Sequence, residues 1–459
     1  MREIIKSLAI VLFFLVQSIY SQEVPTFNFS YQKRLFNHDF GKNWNTLSTF
    51  LPANYGITQK RKAIDSDSLY RLIQVGASYD FANDYEFFSY LSIKHKNLRS
   101  YLYPRFVTNV SSFQRFTGLP KDEQRLSLVS GETDLSGLSY SNDHIYFHFG
   151  RGRESWGSGE DIQLALSHNS PSYDYFKFLY DHNKVRFIYF HGFLETINQN
   201  NRYIAGKGFE ISNYKNLVAS ISEVIIYSGF NRPVDFSFLN PISSILEVEQ
   251  NNRQNLLGFD NANAIWQISI DKLIKNRLRI SGNLMIDELI LDSEEIDSGK
   301  VNSYGWSFRA SYSIMKNNNF FNFYFSTLSI STHALKHGIG SNNFVQRGHP
   351  LGWQMGSDGY QFKIGCKALR HENLIFNVEI NKTTYGENSI NLSPYLKYDY
   401  HKAKEFPSGD VKNITKFLFN FIWGFDANTS LLFNYQYNYS FDFDDHILNI
   451  KYVYSISKE

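Results

Sequence analysis

The sequence predicts an all-β fold: a large antiparallel transmembrane β-barrel of about 18 strands, with a short N-terminal periplasmic or plug segment before it. Three observations point there. Aromatic residues make up 17% of the 459-residue chain, with 41 Phe and 31 Tyr, yet mean hydropathy is negative at -0.35, a pairing that suits one greasy face and one wet face. Long stretches alternate apolar and polar residues with the two-residue period of a strand. Short Asp- and Asn-rich turns join several of them, as in an antiparallel meander.

In chain order, residues 1–21 read as a secretory signal. Arg2 and Lys6 flank the start, an apolar run follows from Leu8 to Val16, and small Ser21 precedes Gln22. Cleavage is expected after Ser21, with Ser18 as the alternative. There is no cysteine at this boundary to carry a lipid anchor. Loss of Arg2, Glu3 and Lys6 takes the formal charge from +2 to +1, which gives no electrostatic case for nucleic acid. Cys366 is the single cysteine, so no disulfide forms within the chain and stability must come from burial and backbone pairing. Residues 22–68 alternate poorly and are expected to be a periplasmic lead-in or a partial plug.

Residues 69–459 are expected to form the barrel. "SYGWSFRASYSIM" sets Tyr304, Trp306, Phe308, Ala310, Tyr312 and Ile314 against Gly305, Ser307, Arg309, Ser311 and Ser313. "RLRISGNLMIDEL" sets Leu278, Ile280, Leu284 and Ile286 against Arg279, Ser281, Asn283 and Asp287. "LIFNVEINK" alternates Phe376, Val378 and Ile380 with Asn377, Glu379 and Asn381. Near the C-terminus Phe417, Phe419, Phe421, Trp423 and Phe425 share one face, and Leu431, Phe433, Tyr435, Tyr437 and Tyr439 another. A soluble sandwich would also alternate, with the apolar sets as its core. Rings near several strand ends and the number of strands favour a membrane barrel with a polar interior. The longer loops lie around residues 237–263 and 333–359.

Most enzyme and cofactor signatures are absent. Gly150-x-Gly152 lacks the third glycine and the helix of a dinucleotide turn. His144 with His148, and His333 with His337, lack the glutamate or cysteines of a metal site. Asp287–Glu288 and Glu294–Glu295 are adjacent pairs, which on a strand point to opposite faces and cannot flank one scissile bond. No nucleophile motif occurs, and Cys366 reads as a small packed side chain. No cofactor, no metal and no catalytic residue is expected.

One stretch stands apart: "FHFGRGRESWGSGEDIQLALSHN", Phe147 to Asn169. Strict alternation after Ile145, Phe147 and Phe149 would put Arg151 and Arg153 on the lipid face, which is costly. The strand is therefore expected to end or bulge near Gly150, turning both arginines to the lumen or the rim. Two readings stay open. Arg151 or Arg153 could join Glu154 or Asp161 in a salt-bridged lumen network. Alternatively, arginine forks and the Trp156 indole could form a sugar-binding surface with Ser167, His168 and Asn169.

The stretch resembles the signature of the capsule-assembly Wzi family of outer-membrane barrels, in its Bacteroidetes-type branch. The match is Arg153 and the turn Trp156-Gly157-Ser158-Gly159, then an apolar strand through Leu164 and Leu166 to Ser167, His168 and Asn169. "LNP" at Leu239–Pro241, "NLLGFD" at Asn255–Asp260, "LMIDEL" at Leu284–Leu289 and "GHPLGWQMGSDG" at Gly348–Gly359 follow in the family's order. Ser158 stands where the family has proline, and His168 where it has asparagine. The resemblance implies a non-enzymatic, lectin-like barrel, closed inside, that helps hold capsular polysaccharide on a Gram-negative cell. It implies Arg151, Arg153, Trp156, Ser167, His168 and Asn169 as a polysaccharide-binding or lumen network, with Asp260, Asp287 and Asp358 as secondary motif positions. The implied partners are surface polysaccharide, outer-membrane lipid and other surface-export components. A porin or substrate channel is the alternative.

Overall fold

The structure, a computed structural model, describes residues 49–50, 69–80, 83–113, 116–121, 127–213, 215–244, 262–275, 277–290, 293–297, 299–317, 319–371, 373–397, 405–426, 428–440 and 444–458. The chain runs through β1 (Leu69–Asp80), β2 (Asp84–His95), β3 (Leu98–Val107), β4 (Ser130–Ser141), β5 (Ile145–Gly152), β6 (Tyr173–His182) and β7 (Val185–Ile197). It continues with β8 (Asn200–Ser212), β9 (Leu217–Phe230), helix α1 (Phe236–Leu239), β10 (Ala262–Ile274), β11 (Leu278–Glu288), helix α2 (Ser293–Asp297), β12 (Ser303–Lys316) and β13 (Asn319–Ile330). A small hairpin, β14 (Val345–Gln346) and β15 (His349–Pro350), precedes β16 (Gly359–Arg370), β17 (Leu374–Tyr385), β18 (Lys412–Gly424), β19 (Thr429–Tyr439) and β20 (Asp444–Lys458). All but the small hairpin join one 18-stranded antiparallel sheet. It closes where β1 pairs with β20, Ala77 opposite Tyr452. Closure leaves no free edge, the condition for strands to cross a bilayer.

The faces resolve the choice between sandwich and barrel. Trp306, Phe308, Tyr312, Phe417, Phe419 and Trp423 are exposed on the outer wall, while Asn283, Ser307, Arg309 and Ser311 are buried inside. Apolar rings outward and polar groups inward is the reverse of a soluble core and the pattern of a lipid-facing barrel.

The two ends differ. Turns 96–97, 142–144, 183–184, 213–216, 275–277, 317–318, 371–373 and 425–428 lie at one end and are short. Connections 108–129, 153–172, 231–261, 289–302, 331–358 and 386–411 lie at the other. Several of these fold back. Trp156, Leu164 and Leu166 from 153–172, Leu335, Phe344, Leu351 and Trp353 from 331–358, and Ile390 form one buried cluster with inward-facing Ile188, Phe190, Ile204, Val224, Ile226, Met285 and Leu328. The barrel's main hydrophobic core is thus inside the lumen, made of its own loops. Thr49 and Phe50 are buried there too, Phe50 against Trp156 at 5.0 Å between ring centroids. The rest of the expected plug segment, 22–48 and 51–68, lies outside the described residues.

Another loop takes the opposite course. Residues 231–244 lie against the outer wall, where Phe238 of α1 stacks on Tyr227 at 4.4 Å. Tyr203 and Tyr189 donate to the Arg232 and Phe238 carbonyls, both at 2.9 Å. Beneath this strap the outward-facing pair Lys207–Glu223 (3.6 Å) is shielded from lipid.

Candidate functional site

The W-G-x-G turn is a lumen structure. Trp156 is 1% exposed. Its indole N–H donates to Glu154 Oε2 at 3.0 Å, and its ring meets Phe190 edge-on at 5.1 Å. Gly157 (φ +125°) and Gly159 (φ +78°) occupy backbone regions that favour glycine. A side chain at Gly157 would also press on Asn283 Oδ1. That contact is used: the Ser158 N–H donates to Asn283 Oδ1 at 2.7 Å, and Asn283 Nδ2 returns a bond to the Ser158 carbonyl at 3.0 Å. The Ser158 hydroxyl donates to the Gly282 carbonyl at 2.9 Å. The N–H of Gly157 donates to the Thr49 carbonyl at 2.6 Å, which ties the turn to the N-terminal segment.

The two arginines part company. β5 ends at Gly152 as expected, but its register runs through Gly150 without a bulge. Arg151 therefore keeps the outward parity of Phe149 and is not turned to the lumen. It ends at the rim, where exposed Asp174 on the next strand neutralises it at 3.0 Å. Arg153, one step past the strand, does turn inward and pairs with buried Asp134. The expected partners differ from the observed ones. Glu154 is buried with Lys177 at 2.9 Å, and Asp161 sits 3.7 Å from His168 Nε2. Asp134 was not foreseen because it is the extra residue of a bulge opposite Tyr103 and Pro104.

The far end of the stretch ties two loops together. Ser167 is buried; its N–H donates to the Leu351 carbonyl at 2.8 Å and its hydroxyl to the Gly352 carbonyl at 2.6 Å. His168 and Asn169 are half-buried. The six residues thus do not gather into one small open volume. Arg153, Trp156 and Ser167 are packed inside, and Arg151 ends at the rim. Of the secondary positions, Asp287 accepts the Leu335 N–H at 2.6 Å. Buried Asp358 accepts from the Thr332 hydroxyl (2.7 Å) and the Ser408 N–H (2.9 Å). Both hold loops in place. Asp260 lies outside the described residues. Near this knot burial pushes the Lys336 ammonium down to about 8, against the opposing pull of Asp358.

Among the described residues an open cleft of about 890 Å³ lies at the long-loop end. Residues 116–120 line one side, the tip of the β14–β15 hairpin lines the other with Arg347 and His349, and Glu132, Arg151 and Glu195 complete it. Two bulges bring in the acids: one at Tyr103/Pro104 sets Glu132 opposite Arg105, the other at Phe193/Glu195 sets Glu195 opposite Arg202. The hairpin tip is pinned from below. Arg202 binds Glu195 at 2.6 Å and the carbonyls of Ser341, Asn343 and Val345. Glu195 Oε1 accepts from the Tyr395 hydroxyl (2.6 Å) and the Arg347 N–H (3.1 Å). Sequence reasoning passed over Glu132, Glu195 and Arg347. The signal available for the last was "VQRGHP", a two-residue hairpin turn within the long loop. Among the described residues no group of three or more His, Cys, Asp or Glu is placed to hold a metal.

The molecule is thus a loop-filled β-barrel of the kind found in the outer membranes of Gram-negative bacteria. The Wzi barrel of Escherichia coli, an outer-membrane protein involved in group 1 capsule assembly and described as carbohydrate-binding, matches over 89% of this chain and 88% of its own, with a TM-score of 0.59 at 13% identity. The Pseudomonas aeruginosa barrels OccD3 and OpdK match at TM-scores of 0.47 and 0.49, each at 8% identity, over 86% and 84% of this chain and 92% and 98% of theirs. No family model and no curated protein sequence matches the chain.

Proposed function

We propose that this protein is a Wzi-like outer-membrane barrel that binds or organises capsular or other surface polysaccharide at the cell surface, and that it neither catalyses a reaction nor conducts solutes. The observation that carries the reading is the filled lumen: loops 153–172 and 331–358 and residue Ile390 pack into one apolar cluster across it. A channel needs a passage there. The long loops mark the outward end, and the cleft opens among them, where a polymer outside the cell can reach it. The ordered motif resemblance from Trp156 to Asp358 supports the same family reading, as does the fold likeness to Wzi. In this account residues 1–21 direct export and are removed. Residues 22–68 are a periplasmic lead-in or a partial plug; the bonds of buried Thr49 to Glu210 and Gly157 support the second. Arg153, Trp156 and Ser167 shape the lumen filling, and Arg151 lines the cleft where a glycan can touch it.

The test is deletion of the gene in its own host. Cell-associated polysaccharide should fall while released polysaccharide rises, with total synthesis unchanged. Full retention on cells lacking the protein would contradict the proposal.

A further inference from the structure

We infer that the rim cleft recognises a carboxylate-bearing sugar, with Arg347 as its anion-binding residue; this rests on the polysaccharide reading above and names the chemistry of the ligand. The argument starts at the hairpin tip. Gln346 and His349 pair across a two-residue turn whose central residues, Arg347 (φ +48°) and Gly348 (φ +77°), are both left-handed. Such turns favour Asn-Gly, because asparagine tolerates that conformation better than a long side chain does. The backbone alone would thus select asparagine. An arginine there holds a cation over the cleft at some cost to the turn, and strain of this kind collects where a side chain is needed for contact.

Among the described residues the charge is not spent on a carboxylate. The Arg347 guanidinium bonds the neutral Thr117 hydroxyl at 3.1 Å, and among the described residues no carboxylate pairs with it. The two carboxylates and the second arginine lining the cleft are matched. Glu132 lies 3.4 Å from Arg105 and accepts from the Thr117 N–H and hydroxyl. Glu195 is taken up by Arg202 and Tyr395. Arg151 is paired with Asp174. His349 completes the set at the exposed tip. Among the described residues, one guanidinium without a carboxylate partner beside two ion-paired acids suits a singly charged carboxylate on a sugar whose hydroxyls donate to the remaining lone pairs of Glu132 and Glu195. A doubly charged phosphate would meet more repulsion from those same acids.

The experiment measures binding of purified barrel in detergent to the purified surface polysaccharide of its host, native and carboxyl-reduced. Arg347→Asn is the main variant because the turn prefers it, so the fold should be at least as stable. Native polymer should bind the wild type, more weakly as salt rises. Carboxyl reduction should weaken it roughly tenfold or more, the scale of a lost charge-assisted contact. Arg347→Asn should bring native polymer down to the level of the reduced one, with unchanged heat resistance, and Arg347→Lys should fall between. Equal binding of native and reduced polymer, or full binding by Arg347→Asn, would overturn the inference and leave the polysaccharide reading standing. Failure of the wild type to bind either polymer would sink that reading and the inference with it.

Discussion

At the residue scale, burial decides between the two roles that Trp156 could have had. An indole 1% exposed, wedged between Phe50 and Phe190, has no free face for a sugar. Trp156→Ala should therefore lower heat resistance by the cost of truncating a packed Trp, about 3–5 kcal/mol. Polysaccharide binding should fall only as far as the folded fraction falls; lost binding with unchanged heat-modifiable gel migration would refute the buried role. Lys336 offers a second test. Its pKa lies at about 8 in the fold against 10.5 unfolded, so the folded state carries a penalty while the amine is protonated. That penalty is full below about 8 and fades as pH rises to 10.5. The stability difference between wild type and Lys336→Met should accordingly move in the wild type's favour across that window, and a flat difference in thermal unfolding would contradict it. The residues of the stretch were legible as a turn because glycines and alternation are local. Their destinations were not, because Arg151 and Arg153 differ only in which side of a strand end they fall, and Asp134 and Asp174 lie on other strands.

At the scale of elements, the strands were readable and the loops were not. The alternation of β11, β12, β17 and β18 survives residue for residue in the faces they present. Nothing in a strand's period tells whether the next loop rises from the rim, drops into the lumen or folds over the wall. The strap had one faint mark: Lys207 and Glu223 sit mid-strand on otherwise apolar outward faces, which only a cover allows. The inward loops are held by specific bonds. Asp358 joins 331–358 to 386–411 through Ser408 and Thr332. Asp358→Ala should leave the barrel folded and make those two loops the first sites of limited proteolysis. A cleavage pattern identical to wild type would show that the knot is not what holds them.

At the scale of the whole molecule, two surfaces define the protein: an outer wall made for lipid and an interior made solid by its own chain. The wall is tested by placing a charge at its middle. Phe419 is exposed halfway along β18, and Phe419→Arg should cost roughly 2–4 kcal/mol in a bilayer near the midplane. Unchanged stability in lipid would mean that this face does not meet the hydrocarbon. The interior was anticipated as filled, and the inward polar residues Arg309 and Glu379 were read correctly as lumen groups. What fills it could not be read, because the apolar loop residues Leu164, Phe344 and Leu351 look the same whether they cover a lumen or protrude from it. The central claim, a barrel closed by its own loops, is tested most directly by recording the purified protein in planar lipid bilayers. The account predicts no resolvable conductance steps in the wild type at moderate voltage. A steady porin-sized conductance would contradict it.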